Sequence, residues 1–334
     1  MRRTFITQEQ LPLVIEPKTQ VTFDDFLKWL NDDHENIHRD LLKYGGVLFR
    51  NFPIHGADQF NLVIDKLGLG KPIKYIGGDT PRNKIQGKIY TSTEAPPSLK
   101  IPLHNEMSYI KNYPSHIYFH CMTPSKIGGE TIIGDARAIY RAIDPKVRIQ
   151  FEEKKLKYIS NFYGTSWLLD TINYFQKAHK TWMDAFETES KEEVIRLCKE
   201  NDFGYRWNKK NWLQVSYNRP AIIEHRESGE KIWFNQAHLY DYNPRLIGWF
   251  NWFATRIVYA KKNTIMHEMY YGDNTPIPRH DLYHIMDILD NKTVYFRWKK
   301  GDVMVLDNLL TMHGRNSYKG NRRILVALTK KNLA

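Results

Sequence analysis

The chain has 334 residues, of which 42% are hydrophobic and 26% charged, which is the composition of a globular protein with a sizeable core. Only two cysteines are present, Cys121 and Cys198, which excludes a disulfide framework and fits a reducing, cytoplasmic setting. The net charge of +12 favours either an acidic partner or a lysine-rich solvated surface.

Several classes of protein are not expected from the sequence. No zinc-finger, basic-helix or RNA-binding signature is found, so nucleic acid is not an expected partner. The N-terminus has no long apolar stretch, and we expect no signal peptide. The most apolar helical segment, 246–260, is too short to cross a bilayer, so no membrane association is expected.

The first predicted element is a helix over residues 22–44. Thr22 and Asp25 form a predicted capping box at its start, and Gly45 and Gly46 end it. The remaining predicted elements, in chain order, are a strand at 47–49, a helix at 57–67, a strand at 115–122, helices near 180–187 and 190–200, and strands at 231–236, 293–298, 302–307 and 323–329.

Predicted strands at both ends of the chain flank a middle that looks helical. This order favours a mainly β fold with flanking helices, in which distant segments contribute to one β-core. Residues 1–334 are therefore expected to form a single domain, with a helical lid insertion around 160–230. The aromatic stripe in 246–260 fits either a buried helix or a subunit contact, so the oligomeric state stays open.

The segment PLHNEMSY, 102–109, places His104 and Glu106 two residues apart. On a strand, residues i and i+2 project from the same face, so both side chains are expected to point together. His313 lies between two predicted strands near the C-terminus and could complete a set of two histidines and one carboxylate. That set leaves three adjacent coordination positions open and suits the ferrous iron of oxygenases better than zinc.

Other histidines offer weaker alternatives. A single His-x-Glu occurs often by chance among 13 histidines. His280 and His284 would share a helix face, but they lack the glutamate of a zinc protease motif. His116 and His120 would share one face of a strand, where structural packing is their expected role.

A pair of arginines, Arg322 and Arg323, begins the apolar strand that follows His313. An arginine entering a core needs an anion, and a guanidinium binds a carboxylate in bidentate fashion. Thr131, in the segment GGET, offers a hydroxyl to the same carboxylate. These residues would suit a dicarboxylate that chelates the metal at its other end.

Together these residues resemble the taurine dioxygenase (TauD/TfdA) family of Fe(II)/2-oxoglutarate oxygenases, and its clavaminate synthase-like branch in particular. The pattern is a His-x-Asp/Glu, a Gly-Gly-x-Thr, and a distal histidine followed by an arginine; the similarity extends over about 40–330. The resemblance implies a double-stranded β-helix, or jelly roll, with helices packed outside. It implies that His104, Glu106 and His313 bind Fe(2+), and that Thr131 and Arg323 hold 2-oxoglutarate. Arg322 is the less favoured of the two arginines.

The resemblance also implies the reaction. Dioxygen (O2) and 2-oxoglutarate would be consumed while an unactivated C–H bond is hydroxylated; desaturation or ring closure are variants known in this fold. Glu106 occupies the position that is a small residue in halogenases, which argues against halogenation.

Within this family the sequence resembles stand-alone amino-acid hydroxylases of peptide natural-product clusters, of the syringomycin type. An amino-acid substrate is therefore expected, either free or on an acidic carrier protein, with Arg82 and Asn235 as candidate contacts. The alternatives are a catabolic dioxygenase of sulfonates or other small acids, a jelly roll that only binds, and a nucleic-acid demethylase.

Overall fold

The computed structural model describes residues 1–73, 84–86, 89–92, 95–165, 181–258 and 265–331. The strands in this part of the chain are β1 (Arg2–Phe5), β2 (Leu13–Glu16), β3 (Gly46–Phe49), β4 (Lys71–Pro72), β5 (Lys84–Gln86), β6 (Ile89–Thr91), β7 (Ile101–His104), β8 (His116–Thr123), β9 (Ile127–Gly128), β10 (Thr131–Asp135), β11 (Leu156–Phe162), β12 (Gly204–Trp207), β13 (Leu213–Arg219), β14 (Ile222–Glu224), β15 (Lys231–Trp233), β16 (His267–Tyr271), β17 (Val294–Tyr295), β18 (Val303–Asp307), β19 (Thr311–Arg315), β20 (Tyr318–Lys319) and β21 (Arg323–Lys330). The helices are α1 (Phe23–Asp32), α2 (His34–Tyr44), α3 (Gly56–Leu67), α4 (Ala136–Ala142), α5 (Pro145–Lys154), α6 (Trp182–Phe186), α7 (Lys191–Glu200), α8 (Ala237–Tyr240), α9 (Pro244–Ile247), α10 (Trp249–Val258) and α11 (Arg279–Asn291).

A nine-stranded sheet joins the two ends of the chain. Its order is β1-β2-β3-β18-β8-β21-β6-β5, and β4 pairs with β21 at one side. The pair β2–β3 is parallel and the other pairs are antiparallel. The predicted strands near 47, 115, 302 and 323 are confirmed, and they form the centre of this sheet.

A second sheet, in the order β17-β10-β19-β7, lies against the first. Side chains alternate along β18: Val303 and Val305 pack with the helices α1–α3, whereas Met304 and Leu306 pack with residues of the second sheet such as Ile133. This alternation is the period of two that a strand buried on both faces imposes. The core between the two sheets therefore lies directly behind the strands that carry the candidate ligands.

The middle of the chain contains a third sheet, which the prediction of a helical middle missed. Its order is β12-β13-β11-β16, with antiparallel pairing throughout. Along β11 the residues alternate between buried and half-buried positions, as expected for a sheet with one face on the core. The predicted helices near 180–187 and 190–200 are confirmed as α6 and α7.

The N-terminal helical segment is two helices. Thr22 and Asp25 form the predicted capping box at the start of α1, but the helix ends at Asp32 and α2 begins at His34. Gly45, with φ of 75°, ends α2 in the left-handed conformation that glycine adopts at no steric cost. The predicted helix over 22–44 is thus correct in type and broken at its middle.

The aromatic stripe near residue 250 is on the surface. Trp249, Phe250 and Phe253 of α10 are 73%, 85% and 64% exposed, so the expectation of a buried helix at 246–260 is wrong for these residues. None of the helices that the structure describes has the length and apolarity needed to cross a bilayer.

Candidate metal centre and co-substrate pocket

Three candidate ligands meet at one edge of the second sheet. His104 is the last residue of β7, and it is the direct partner of His313 in β19. The centroids of the two imidazole rings are 4.5 Å apart, and ligand atoms of His104, Glu106 and His313 all lie within 4.8 Å of one another. Among the described residues, this is the only group of three such side chains close enough to hold a metal ion.

Glu106 reaches the group by a different route from the one the sequence suggested. The strand ends at His104, and residues 106–109 form a turn in which Met107 has φ of 54°. The expectation that His104 and Glu106 share one face of a continuous strand is therefore wrong. The turn brings Oε2 of Glu106 to 3.5 Å from Nε2 of His313, and Glu106 is only 4% exposed.

The turn that carries Glu106 is fixed by Asn308, a residue that sequence analysis did not select. Oδ1 of Asn308 accepts a hydrogen bond from the Glu106 backbone N–H at 2.8 Å, and its Nδ2 donates to the Glu106 carbonyl at 3.0 Å. The same Nδ2 donates to Pro114 at 2.9 Å, and the backbone carbonyl of Asn308 accepts from Asn105 Nδ2 at 2.6 Å. Each of these groups is buried, so the network holds the turn in one conformation. The only hint in the sequence is an amide residue placed directly after an apolar strand.

The protonation of His104 suits a metal ligand. Its Nδ1 lies 2.9 Å from the carbonyl of Pro102, and because a carbonyl can only accept, Nδ1 carries the proton and Nε2 keeps its lone pair. Burial, together with the nearby His313, lowers the pKa of His104 to about 3, although Glu106 opposes this shift. A neutral imidazole whose other nitrogen is held by a carbonyl is the arrangement of protein metal sites. Two imidazoles and a buried carboxylate therefore fit a divalent cation.

A small pocket extends from the two histidines to a pair of arginines. It is lined by Ser92, Ile101, His104, Phe119, Thr131, His313, Gly314, Arg315, Arg322 and Val326. Arg322 donates from Nε to the Gly129 carbonyl at 2.9 Å, and its Nη2 is 3.5 Å from Oγ1 of Thr131. Thr131 is buried, and its hydroxyl also accepts from the indole N–H of Trp298 at 3.1 Å. The structure thus places Thr131 in the same pocket as the two histidines.

The pocket contains Arg322 rather than Arg323. Arg323 opens β21 opposite Thr123 and is exposed, whereas Arg322, immediately before the strand, turns into the pocket. Neighbouring residues of an extended chain point to opposite sides, so only one arginine can enter. The prediction that Arg323 enters the pocket is therefore wrong; Arg322 does so instead.

A second arginine, Arg315, stands beside Arg322. Its guanidinium donates to the carbonyls of Ala95, Pro96 and Leu99 at 3.0, 2.7 and 2.8 Å. Burial and the charge of Arg315 lower the pKa of Arg322 to about 10. No carboxylate forms an ion pair with either guanidinium within the described ranges, so this end of the pocket is cationic and fits an anionic group. Sequence analysis missed Arg315, although its place two residues after His313 put it on the same face of β19.

The two candidate substrate contacts fare differently. Asn235 is fully buried and belongs to the scaffold: its Nδ2 donates to Ala221 at 2.9 Å and its Oδ1 accepts from Ala237 N–H at 3.0 Å. Because Asn235 is fully buried and both ends of its amide are bonded within the protein, the expected contact with substrate is contradicted. The following residue, Gln236, donates to the Asn105 carbonyl at 2.7 Å, directly before the turn that carries Glu106. Arg82 lies outside the described residues.

Two histidines, one carboxylate and an adjoining cationic pocket define the class of non-haem iron oxygenases that use a 2-oxo acid. The sequence model "Taurine catabolism dioxygenase TauD, TfdA family" matches residues 7–329, and the chain belongs to this family. It is accordingly a dioxygenase that depends on iron and 2-oxoglutarate, and its His-Glu-His set fits the metal.

Two curated proteins are similar over most of their length. The chain is 29% identical over 321 residues to the dapdiamide synthesis protein DdaC of Enterobacter agglomerans, covering 95% of this chain and 90% of that protein. It is also 29% identical over 290 residues to a clavaminate synthase-like protein of Arabidopsis thaliana, covering 86% of this chain and 82% of that protein.

Solved structures with low sequence identity share the fold. The structure of AAD-2 in complex with Mn(II) and N-oxalylglycine has a TM-score of 0.57 at 12% identity, covering 99% of this chain and 98% of that one. PvcB from Pseudomonas aeruginosa has a TM-score of 0.52 at 14% identity, covering 95% of this chain and 85% of that one. These neighbours support a fold of mixed sheets with several helices.

Proposed function

We propose that the enzyme hydroxylates an unactivated C–H bond of an amino-acid-type small molecule in natural-product biosynthesis. The observation that carries the proposal is the meeting of His104, Glu106 and His313 beside the pocket of Arg322. Similarity to a protein named for dapdiamide synthesis supports a biosynthetic role. We further propose that the two facing sheets form the double-stranded β-helix of a single domain, and that the segment around 160–230 covers the site.

The roles of the residues follow from their positions. His104, Glu106 and His313 would hold iron, and Arg322 with Thr131 would hold the distal carboxylate of 2-oxoglutarate. When bound, iron with 2-oxoglutarate and O2 supplies the oxidant for C–H hydroxylation, and succinate and carbon dioxide are the co-products. Glu106 and His313 are buried, and the Phe119 ring, 5.3 Å from that of His313, provides an apolar wall that would help to exclude water.

The type of reaction, the form of the substrate and the location of the enzyme stay predictions. Desaturation or cyclisation of a similar substrate, and catabolic oxidation of sulfonates or other small acids, are the catalytic alternatives. The substrate could be free or carried by an acidic protein, and the net charge of +12 suits both. A cytoplasmic location also stays a prediction.

The first test is an anaerobic titration of the metal-free protein with Fe(II) and 2-oxoglutarate, followed by the weak visible charge-transfer band of the chelate. We expect the band in the wild-type protein and its loss in Glu106→Ala. The matched control is Glu35→Ala, because the Glu35 side chain is 84% exposed and lies on α2. A folded protein that shows no band would contradict the proposed function.

Product analysis distinguishes the reactions. Aerobic turnover with candidate amino acids is followed by mass spectrometry of the product. Hydroxylation adds one oxygen atom to the substrate, whereas desaturation and cyclisation each remove two hydrogen atoms. A product that has only lost hydrogens would replace hydroxylation by one of the alternatives.

A further inference from the structure

A second cavity, separate from the arginine pocket, borders the turn that carries Glu106. Its volume is about 410 Å³, and its lining includes Met107 and Tyr109 from that turn, Phe162 and Val215 from the third sheet, and Phe203 and Tyr217. Cavities of this size hold small molecules in proteins. Most of the residues that line this cavity are apolar or aromatic. The arginine pocket, by contrast, has a cationic lining.

The polar side chains in the wall are already used within the protein. Ser160 Oγ lies 3.0 Å from Nδ1 of His267, and Asn201 Nδ2 donates to the Leu197 carbonyl at 2.9 Å. The carbonyl oxygen of the Asn112 side chain accepts from Lys330 Nζ at 2.9 Å. Glu200, the acidic residue of the described lining, is ion-paired with Arg196. A charged ligand group would have to compete with these partners, whereas an apolar group would not.

The cavity is next to the metal-binding residues. Met107 follows Glu106 directly, and its positive φ places it in the same turn. Met107 also packs in one cluster with Phe119, whose ring lies 5.3 Å from that of His313. A group that fills the cavity would therefore lie beside the candidate metal centre, on the side that faces the third sheet.

We propose that the substrate carries a bulky apolar group, aromatic or branched aliphatic, which fills this cavity. The inference rests on the proposed function, because it assigns the cavity to the substrate of that reaction. It deepens the proposal by choosing among amino acids: those with large apolar side chains are favoured, and those with charged side chains are disfavoured. The burial of apolar surface is the source of the expected affinity.

Binding of an amino-acid series tests this inference. The protein is loaded with Mn(II) and N-oxalylglycine, which do not support turnover, and is titrated calorimetrically with alanine, leucine, phenylalanine, aspartate and lysine. We expect leucine and phenylalanine to bind at least about tenfold more tightly than alanine, since each buried methylene adds several-fold in affinity. Aspartate and lysine are expected to bind no more tightly than alanine.

A cavity-filling variant and a matched control accompany the series. Ala185→Leu in α6 fills part of the cavity and should remove the tighter binding of phenylalanine relative to alanine. Ala57→Leu makes the same change in α3, on the opposite face of the large sheet, and should keep that tighter binding. If the first variant does not fold, the wild-type series alone still decides the question.

The outcomes separate the inference from the proposed function. Equal affinity for alanine and phenylalanine in the wild-type protein, tighter binding of aspartate or lysine, or no binding of any of the five would overturn the inference. The same series is repeated without metal and N-oxalylglycine. If Mn(II) and N-oxalylglycine fail to bind while phenylalanine is still preferred, the proposed function fails and the apolar site stands.

Discussion

The Asn308 side chain exchanges two hydrogen bonds with the backbone of Glu106, accepting from its N–H at 2.8 Å and donating to its carbonyl at 3.0 Å. The two residues are 202 positions apart in sequence. Asn308 is fully buried and follows β18 directly, so the Glu106 backbone is tied to the end of a strand of the nine-stranded sheet. The geometry of the candidate metal centre therefore depends on a residue that would not itself bind the metal.

Asn308→Ala should weaken metal binding without removing a ligand. Loss of such supporting hydrogen bonds typically costs about 10- to 100-fold in metal affinity. The measurement is competition of Mn(II) or Fe(II) against a chelator of known affinity. The control is Asn243→Ala, because Asn243 is equally buried but caps α9 away from the site. Unchanged metal affinity in Asn308→Ala would show that the turn is held by other contacts.

Replacing each arginine of the adjacent pair should give opposite results. Arg322→Ala should weaken 2-oxoglutarate binding by about 10- to 100-fold, because hydrogen bonds to a charged group contribute about 1.5–3 kcal/mol. Arg323→Ala, a change of the same size on an exposed side chain, should have little effect. The measurement is titration of the charge-transfer band with 2-oxoglutarate at saturating iron. Loss of binding in Arg323→Ala alone would contradict the placement of Arg322 in the pocket.

The stability of the metal-free protein should fall in mild acid, and His120 should contribute. Burial lowers the pKa of His120 to about 4, below its usual value, and its ring stacks on Phe60 at 5.3 Å. The unfolded state therefore binds the proton more readily. The stabilisation is complete above about pH 6.5 and is lost as the pH falls toward about 4. The contribution of His120 to the free energy of unfolding should therefore fall by roughly 2 kcal/mol between about pH 7 and pH 5.

Urea unfolding at the two pH values measures this effect. His120→Phe keeps the ring stacking and removes the titrating group, so its stability should fall less between the two values than that of the wild type. His280→Phe is the control, because the side chain of His280 is 84% exposed. An equal fall in wild type and His120→Phe would assign the acid sensitivity to other groups, such as His238, whose pKa burial also lowers to about 4.

A buried ion pair on the large sheet should be costly to break. Arg50 Nη2 lies 2.6 Å from Oδ2 of Asp302, and the side chains are 12% and 0% exposed. Arg50→Ala would leave a buried carboxylate unpaired and should lower the free energy of unfolding by about 3–5 kcal/mol. Arg196→Ala breaks exposed pairs on α7 and should cost at most about 1 kcal/mol.

Denaturant unfolding of both variants gives the comparison. The double variant Arg50→Ala with Asp302→Asn should recover part of the loss, because the unpaired charge is then removed as well. Equal destabilisation by Arg50→Ala and Arg196→Ala would show that Asp302 finds another partner.

Local sequence patterns identified the chemistry of the site. The spacing of His104 and Glu106, the distal His313 and the arginine pair were enough to predict two imidazoles, a carboxylate and an anion-binding group. The capping box at Thr22 and the strands β8, β18 and β21 followed from short-range patterns in the same way. Each short motif depends on residues near one another in the chain, which is why sequence alone could reveal it. His313 lies far from His104 in the chain and was joined to the set by the family pattern.

One strand of the third sheet had a signal in the sequence that the prediction overlooked. Residues 213–217 read Leu-Gln-Val-Ser-Tyr, an alternation of apolar and polar side chains that is the period of a strand, yet no strand was predicted there. Leu213–Arg219 pairs in the third sheet with Leu156–Phe162, whose sequence shows no such alternation. Strand pairing between these segments outweighed weak local preferences for helix.

Only the tertiary structure decided which side chains face the site. Residue types and their spacing can be read from the chain alone, but the side of the chain on which a residue lies changes with every turn or bulge. A turn after His104 carries Glu106 to the metal position, and the register shift at the start of β21 accompanies the choice of Arg322 over Arg323. The hydrogen bonds of Asn308 and the apolar cavity join segments far apart in the chain, and contacts of that kind exist only after the sheets have packed.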